Sequence, residues 1–95
     1  MLLSKPIKAG EPVSIKLISG EEIIARLEEE TADAVKIYKP LMITVGAQGL
    51  GMMPFIFLNG SDTITIKMQH IIAMGVAKKD AADQYVQGTT GIALS

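Results

Sequence analysis

The chain has 95 residues, 48% of them apolar, and a formal net charge of −1, with mean hydropathy above zero and a pI near 5.7. That length makes one domain, and a domain this small hides only about 60–65% of the surface its unfolded chain exposes, so the apolar surplus calls for a partner surface, most simply another copy. The charge balance gives no global pull toward nucleic acid or acidic membranes, and the absence of cysteine excludes disulfides, thiolate metal sites and cysteine nucleophiles.

Residues 1–12 are punctuated by Pro6 and by Gly10-Glu11-Pro12, which excludes a stable helix and predicts an N-terminal arm. Leu2, Leu3 and Ile7 could lay that arm on the body of the protein or on a neighbour. The start lacks a signal-peptide apolar region and no apolar run is long enough to span a bilayer, so the cytosol is the expected location. Val13, Ile15 and Leu17 then alternate with Ser14 and Lys16, the period of a half-buried strand. Ser19-Gly20 breaks the run and Ile23, Ala25 and Leu27 resume it. This predicts a hairpin in which Gly20 supplies a positive φ.

Glu28 to Asp33 reads as a polar turn. Val35 and Ile37 restart the alternation, Pro40 marks a bend, and Leu41 to Val45 is a mostly apolar strand. Gly46 to Gly51 is predicted to be a flexible loop between strands. A phosphate loop is disfavoured because no Lys-Ser/Thr follows and no helix begins. Phe55 to Leu58 reads as the next strand and Asn59-Gly60 as a hairpin signal. Thr63 to Val76 alternates as one strand, with Ile64, Ile66, Met68, His70, Ile72, Met74 and Val76 on one face. Lys78 to Gln87 is the helical window, with Ala81/Tyr85 and Ala82/Val86 on one stripe and Gly88 as its stop. In the tail, Ile92 and Leu94 need a groove to be ordered.

Short strands joined by close turns, with one helix outside them, predict an all-β antiparallel meander: an arm (1–12), a barrel (13–76), then a helix and tail (77–95). Ile23-Ile24, Phe55 to Leu58 and Ile71-Ile72 are apolar on both strand faces. One face packs the core and the other needs cover, from barrel closure or subunit contact. Phe55, Phe57, Ile71 and Ile72 are therefore the candidate oligomer-interface residues.

At this point the pattern resembles the Sm/LSm-like superfamily, which includes Hfq. Val13 to Leu17, Gly20, Ala25 and Glu30 sit at the spacings of the first Sm motif, with Ala25 in place of the usual second glycine. Ile66 to Met74 resembles the second motif. The match is also similar to short Sm-like proteins of uncertain role from marine tailed phages, through Gly20-Glu21-Glu22-Ile23-Ile24, Lys39-Pro40-Leu41, Gly49-Leu50-Gly51 before Pro54-Phe55, Gln84-Tyr85 and Thr90-Gly91-Ile92. The resemblance implies a small, strongly bent five-stranded antiparallel barrel with a C-terminal helix. It also implies protomers joined into a homo-oligomeric ring, RNA as a common ligand, and a host-cytoplasmic location if the chain is phage-encoded.

Carried over residue by residue, Lys67 falls near the family's basic position and Gln69-His70 resembles the pair at the uridine pocket of Hfq. The usual base-contacting Asn falls at Ala34, with Asp33 beside it, and the stacking residue falls at Ala32. Lys67, Gln69, His70 and Asp33 are thus the candidate nucleic-acid-binding residues, although Ala cannot stack a base and Asp repels phosphate. Lys16, Lys36, Lys39 and Lys67 could form a basic face if repeated around a ring, or serve only as solubilising charges. Lys78 and Lys79 oppose the helix dipole and invite an acidic neighbour such as Glu28 to Glu30.

His70 is the only histidine, and without a second ligand or triad partner it reads as a packing or pore-facing residue before a base-binding one. Glu28 and Glu30 share a strand face and could meet a hard cation, but a solvated turn is the simpler reading. No catalytic residue, metal site or cofactor is assigned, and the inventory does not fit an enzyme. Two functions stay open on the sequence: a ring that binds single-stranded RNA, and a structural or adaptor ring, such as a phage assembly component, that binds protein and no nucleic acid.

Overall fold

The computed structural model describes residues 7–56 and 60–90. Six strands run β1 (Pro12–Leu17), β2 (Glu22–Glu30), β3 (Ala34–Gly46), β4 (Gly49–Pro54), β5 (Thr63–Lys67) and β6 (Ile71–Val76), followed by helix α1 (Lys79–Thr90). All pairings are antiparallel. The sheet order is β4-β3-β2-β1-β6, and β5 pairs with β3 off that path. The bent antiparallel barrel with a C-terminal helix implied by the resemblance is the architecture the chain forms, with six strands among the described residues where five were expected.

The opening hairpin follows its alternation. Val13, Ile15 and Leu17 face Ala25, Ile23 and the turn, and all are buried. The Gly20 N–H donates to Leu17 C=O and the Leu17 N–H to Glu21 C=O, both at 2.9 Å. Gly20 adopts φ +108°, the conformation this short turn needs. The barrel core is completed by Leu27, Val35 and Ile37, with Ile7, Met42, Ile64, Ile66, Met68, Ile71 and Met74 packed around them.

β3, 13 residues long and bent, pairs with β2 along one edge and with β5 and then β4 along the other. Ile24 pairs with Leu41 and Arg26 with Tyr38, so Lys39 and Pro40 together oppose the single residue Ala25. This bulge lies at the bend expected at Pro40, and it places Lys39 in the left-handed region at φ 49°. Before the bulge β3 pairs with β5, and beyond it with β4. The second apolar face of β2 is covered by the chain's own helix: Ile24, Ala77 and Tyr85 form a second buried cluster with Leu41, Ile43, Met52, Ala81 and Ala82.

Four local expectations are corrected. Gly46 to Gly51 is not a loop between strands but the end of a β3–β4 hairpin, closed by Gly46 opposite Gly49. Its glycines fit that geometry: Gly49 has φ +108°, and a Cβ on Gly51 would lie 2.6 Å from Thr44 Oγ1. The strand expected at Phe55 is instead β4, and Phe55 and Ile56 lie past its end; Phe57, Leu58 and Asn59 are outside the described residues, as are Leu2, Leu3, Ile92 and Leu94. The single strand from Thr63 to Val76 is broken by a 3-10 turn at Met68–His70. Beyond it Leu17 pairs with Ile71 and Lys16 with Ala73, which leaves Ile72 as a bulged extra residue, 63% exposed. Gly88 does not stop α1, which continues to Thr90.

Candidate nucleic-acid and assembly surface

The 3-10 turn is tethered at both ends by backbone hydrogen bonds. The Met68 N–H donates to Asp33 C=O at 2.8 Å, and the Ile18 N–H donates to His70 C=O at 2.9 Å. Thr31 Oγ1 accepts from the N–H groups of Asp33 and Ala34 at 3.3 and 3.1 Å, which shapes the β2–β3 turn that meets Met68. Ala34 is the register partner of Lys67. The fold therefore brings Asp33 alongside Lys67, Gln69 and His70, although they are far apart in sequence. All four residues are exposed.

The lysines proposed for a basic face are divided among different tasks. Lys36 Nζ lies 4.0 Å from a Glu29 carboxylate oxygen, and Lys16 is the cross-strand partner of Glu22. Lys39 Nζ donates to Thr89 C=O at 2.9 Å, capping the helix C-terminus, and sits 5.5 Å from the centroid of the Tyr38 ring. Lys79 pairs with Asp83 one helical turn away at 2.9 Å rather than with the glutamates of β2, and the contact raises the Lys79 pKa. The Ser19 hydroxyl donates to the Glu21 carboxylate and holds its pKa below the ordinary range. Among the described residues, no three His, Asp or Glu side chains are placed to hold a metal ion.

The barrel has an open seam. β5 pairs with β3 and β6 with β1, but β5 and β6 do not pair with each other. A cleft of about 600 Å³ opens there, lined by Leu17, Ile18, Phe55, Ile56, Ile64 and Ile66, with Lys67 and His70 also on its wall. Of the interface residues expected from sequence, Phe55 lines this cleft and Ile72 stands exposed on β6. Ile71 packs inward on the core, and Phe57 is outside the described residues. Reasoning from sequence missed Ile18 and Val76, both 59% exposed. Ile18 carried a signal, an apolar side chain in a hairpin turn where polar residues and glycine prevail.

No protein-family model matches the chain, and no curated protein sequence matches it. The fold does match a solved structure, that of a heptameric archaeal Sm protein. The TM-score is 0.50 at 11% identity, covering 73% of this chain and 88% of that one. The fold is of the Sm type. No helix among the described residues is long and apolar enough to cross a membrane.

Proposed function

We propose that this chain assembles with copies of itself into a closed ring that presents Lys67, Gln69 and His70, with Asp33 beside them, to single-stranded RNA. The observation that carries the reading is the open seam. Strands β5 and β6, each paired along one edge only, flank an apolar cleft, and a β6 strand from a neighbour would satisfy the open β5 edge while covering Ile72 and Val76. The heptameric Sm protein of like fold supports a ring as the product of such head-to-tail pairing.

Each site would be weak alone. Lys67 offers one ammonium to phosphate, the His70 ring a stacking face and Gln69 an amide for base edges. Asp33 opposes phosphate and favours contacts to base amino groups. Symmetry repeats the site, so affinity comes from avidity and falls with salt.

A specific observation favours a second reading, a protein-binding scaffold ring of the kind expected for a phage assembly component. The residues at the usual stacking and base-contacting positions are Ala32 and Ala34, and neither can grip a base. Native mass spectrometry at low salt, with and without oligo-uridine, separates the two. A closed oligomer that gains RNA mass, and loses it in Lys67→Ala or His70→Ala, supports the first reading. A closed oligomer that ignores RNA selects the scaffold. A monomeric wild type, or an Ile72→Arg chain that assembles unchanged, overturns the seam as the ring contact.

A further inference from the structure

The β3–β4 hairpin presents a second sheet edge, remote from the seam. Among the described residues β4 pairs with β3 alone, and its register shows which backbone groups point away from β3. Phe55 N–H donates to Pro40 C=O at 3.2 Å, continuing the pairing of Leu41 with Pro54 and Met42 with Met53. Backbone direction alternates along a strand, so Met53, Gly51 and Gly49 turn their groups toward β3. Leu50 and Met52 turn theirs outward, and so does Pro54, which has no N–H to leave unpaired.

Natural edges are usually blunted by charge, and this one is not. From Leu41 through Ser61 the sequence contains no Asp, Glu, Lys, Arg or His. At the hairpin end only Thr44 and Gln48 are polar and neither is charged, and the cross-strand pair Val45 and Leu50 is 80% and 49% exposed.

We infer that β4 pairs with β4 of a second copy, antiparallel about a two-fold axis at Gly51. The geometry is self-complementary. Outward-facing Leu50 meets outward-facing Met52 of the other copy, and each such pair exchanges both of its backbone bonds. Gly51 meets Gly51 where the two backbones approach most closely, and neither has a side chain to obstruct the approach. Pro54, which cannot donate, ends the ladder. A second copy is the occupant because the edge and its hairpin carry no charge: identical surfaces meet without repulsion, and an acidic or basic partner finds nothing to pair with. The joined sheet β3-β4-β4-β3 also places the exposed Leu50 of each copy beside the half-buried Met52 of the other, extending the apolar face that α1 already covers. This contact does not depend on the seam. If seam rings form, it joins two of them.

Sedimentation velocity of wild type and Leu50→Lys tests the inference, with circular dichroism to confirm the fold. The wild-type mass is expected to be twice that of the variant, and equal masses overturn the inference. A wild-type dimer giving a monomeric Leu50→Lys chain would sustain this contact while refuting the ring. The chain lacks cysteine, so mixed Leu50→Cys and Met52→Cys chains test the register directly. A short bismaleimide should link Cys at 50 to Cys at 52 in preference to either like pair, and a preference for like pairs refutes the two-fold at Gly51.

Discussion

The Tyr85 hydroxyl donates to Tyr38 C=O at 2.7 Å, fastening the C-terminal helix to the bend in β3. The same proton is shared with Lys39 C=O at 3.0 Å, and the oxygen accepts from the Arg26 N–H at 3.1 Å. The bulge at Lys39 and Pro40 interrupts the ladder, and a side chain from the helix satisfies the groups it leaves. Tyr85 is completely buried, so water cannot take over those bonds.

Tyr85→Phe keeps the ring and removes the oxygen. It leaves the Arg26 donor and the bulge carbonyls unpaired in a buried site, a loss of about 1–3 kcal/mol. Urea unfolding is expected to show a lower midpoint with an unchanged slope. An unchanged midpoint would mean that the bulge does not rely on the helix.

Burial also raises the Tyr85 pKa above the ordinary tyrosine value of 10.0. The folded state holds the proton more tightly than the unfolded chain, so this contribution is complete below that value and is lost as pH rises through the folded pKa. The stability gap between wild type and Tyr85→Phe should therefore be level through neutral pH and narrow above pH 10.0. A gap that persists unchanged at higher pH would contradict the assigned role of the hydroxyl.

Lys39 adopts left-handed backbone at φ 49° while its Nζ caps α1 at Thr89. Lys39→Ala loses the cap and keeps the strain, whereas Lys39→Gly loses the cap and relieves the strain. The glycine variant is expected to be the more stable of the two by about 1 kcal/mol, the ordinary cost of a left-handed non-glycine residue. Paired thermal melts measure the difference, and the opposite order would refute strain at this position.

Gly20 has φ +108° and open space where a Cβ would stand, so a substitution there meets backbone strain and no clash. Gly20→Ala should cost about 1 kcal/mol or slightly more, and Gly20→Asn less, because Asn tolerates left-handed backbone. Equal losses for the two would show that the turn relaxes to another type.

The first hairpin, the Pro40 bend and the inward pair Ala81 and Tyr85 of α1 were legible in the chain, whereas Val86, expected on the same stripe, is exposed. Each is a local matter: period-two alternation in Val13 to Leu17, a turn glycine, a residue without an N–H, and Ala81 one helical turn before Tyr85. The break at Met68–His70 could not be read this way, because Thr63 to Val76 alternates without interruption. Tethers from Asp33 and Ile18, distant in sequence, hold the 3-10 turn in place. The bulge at Ile72 likewise exists only relative to the register of β1.

The candidate site divides along the same line. Lys67, Gln69, His70 and Asp33 were all candidates through the family resemblance, and Asp33 comes alongside the other three in space only through the pairing of β3 with β5. Cover for the second face of β2 was expected from closure or a neighbour, and α1 supplies it. Which strand edges lack a partner among the described residues was set by tertiary structure, since alternation reports that a strand has two faces and says nothing of what lies along its edges. Those edges, β5 and β6 at the seam and β4 on the uncharged hairpin, are the ones that the proposed contacts between copies would use.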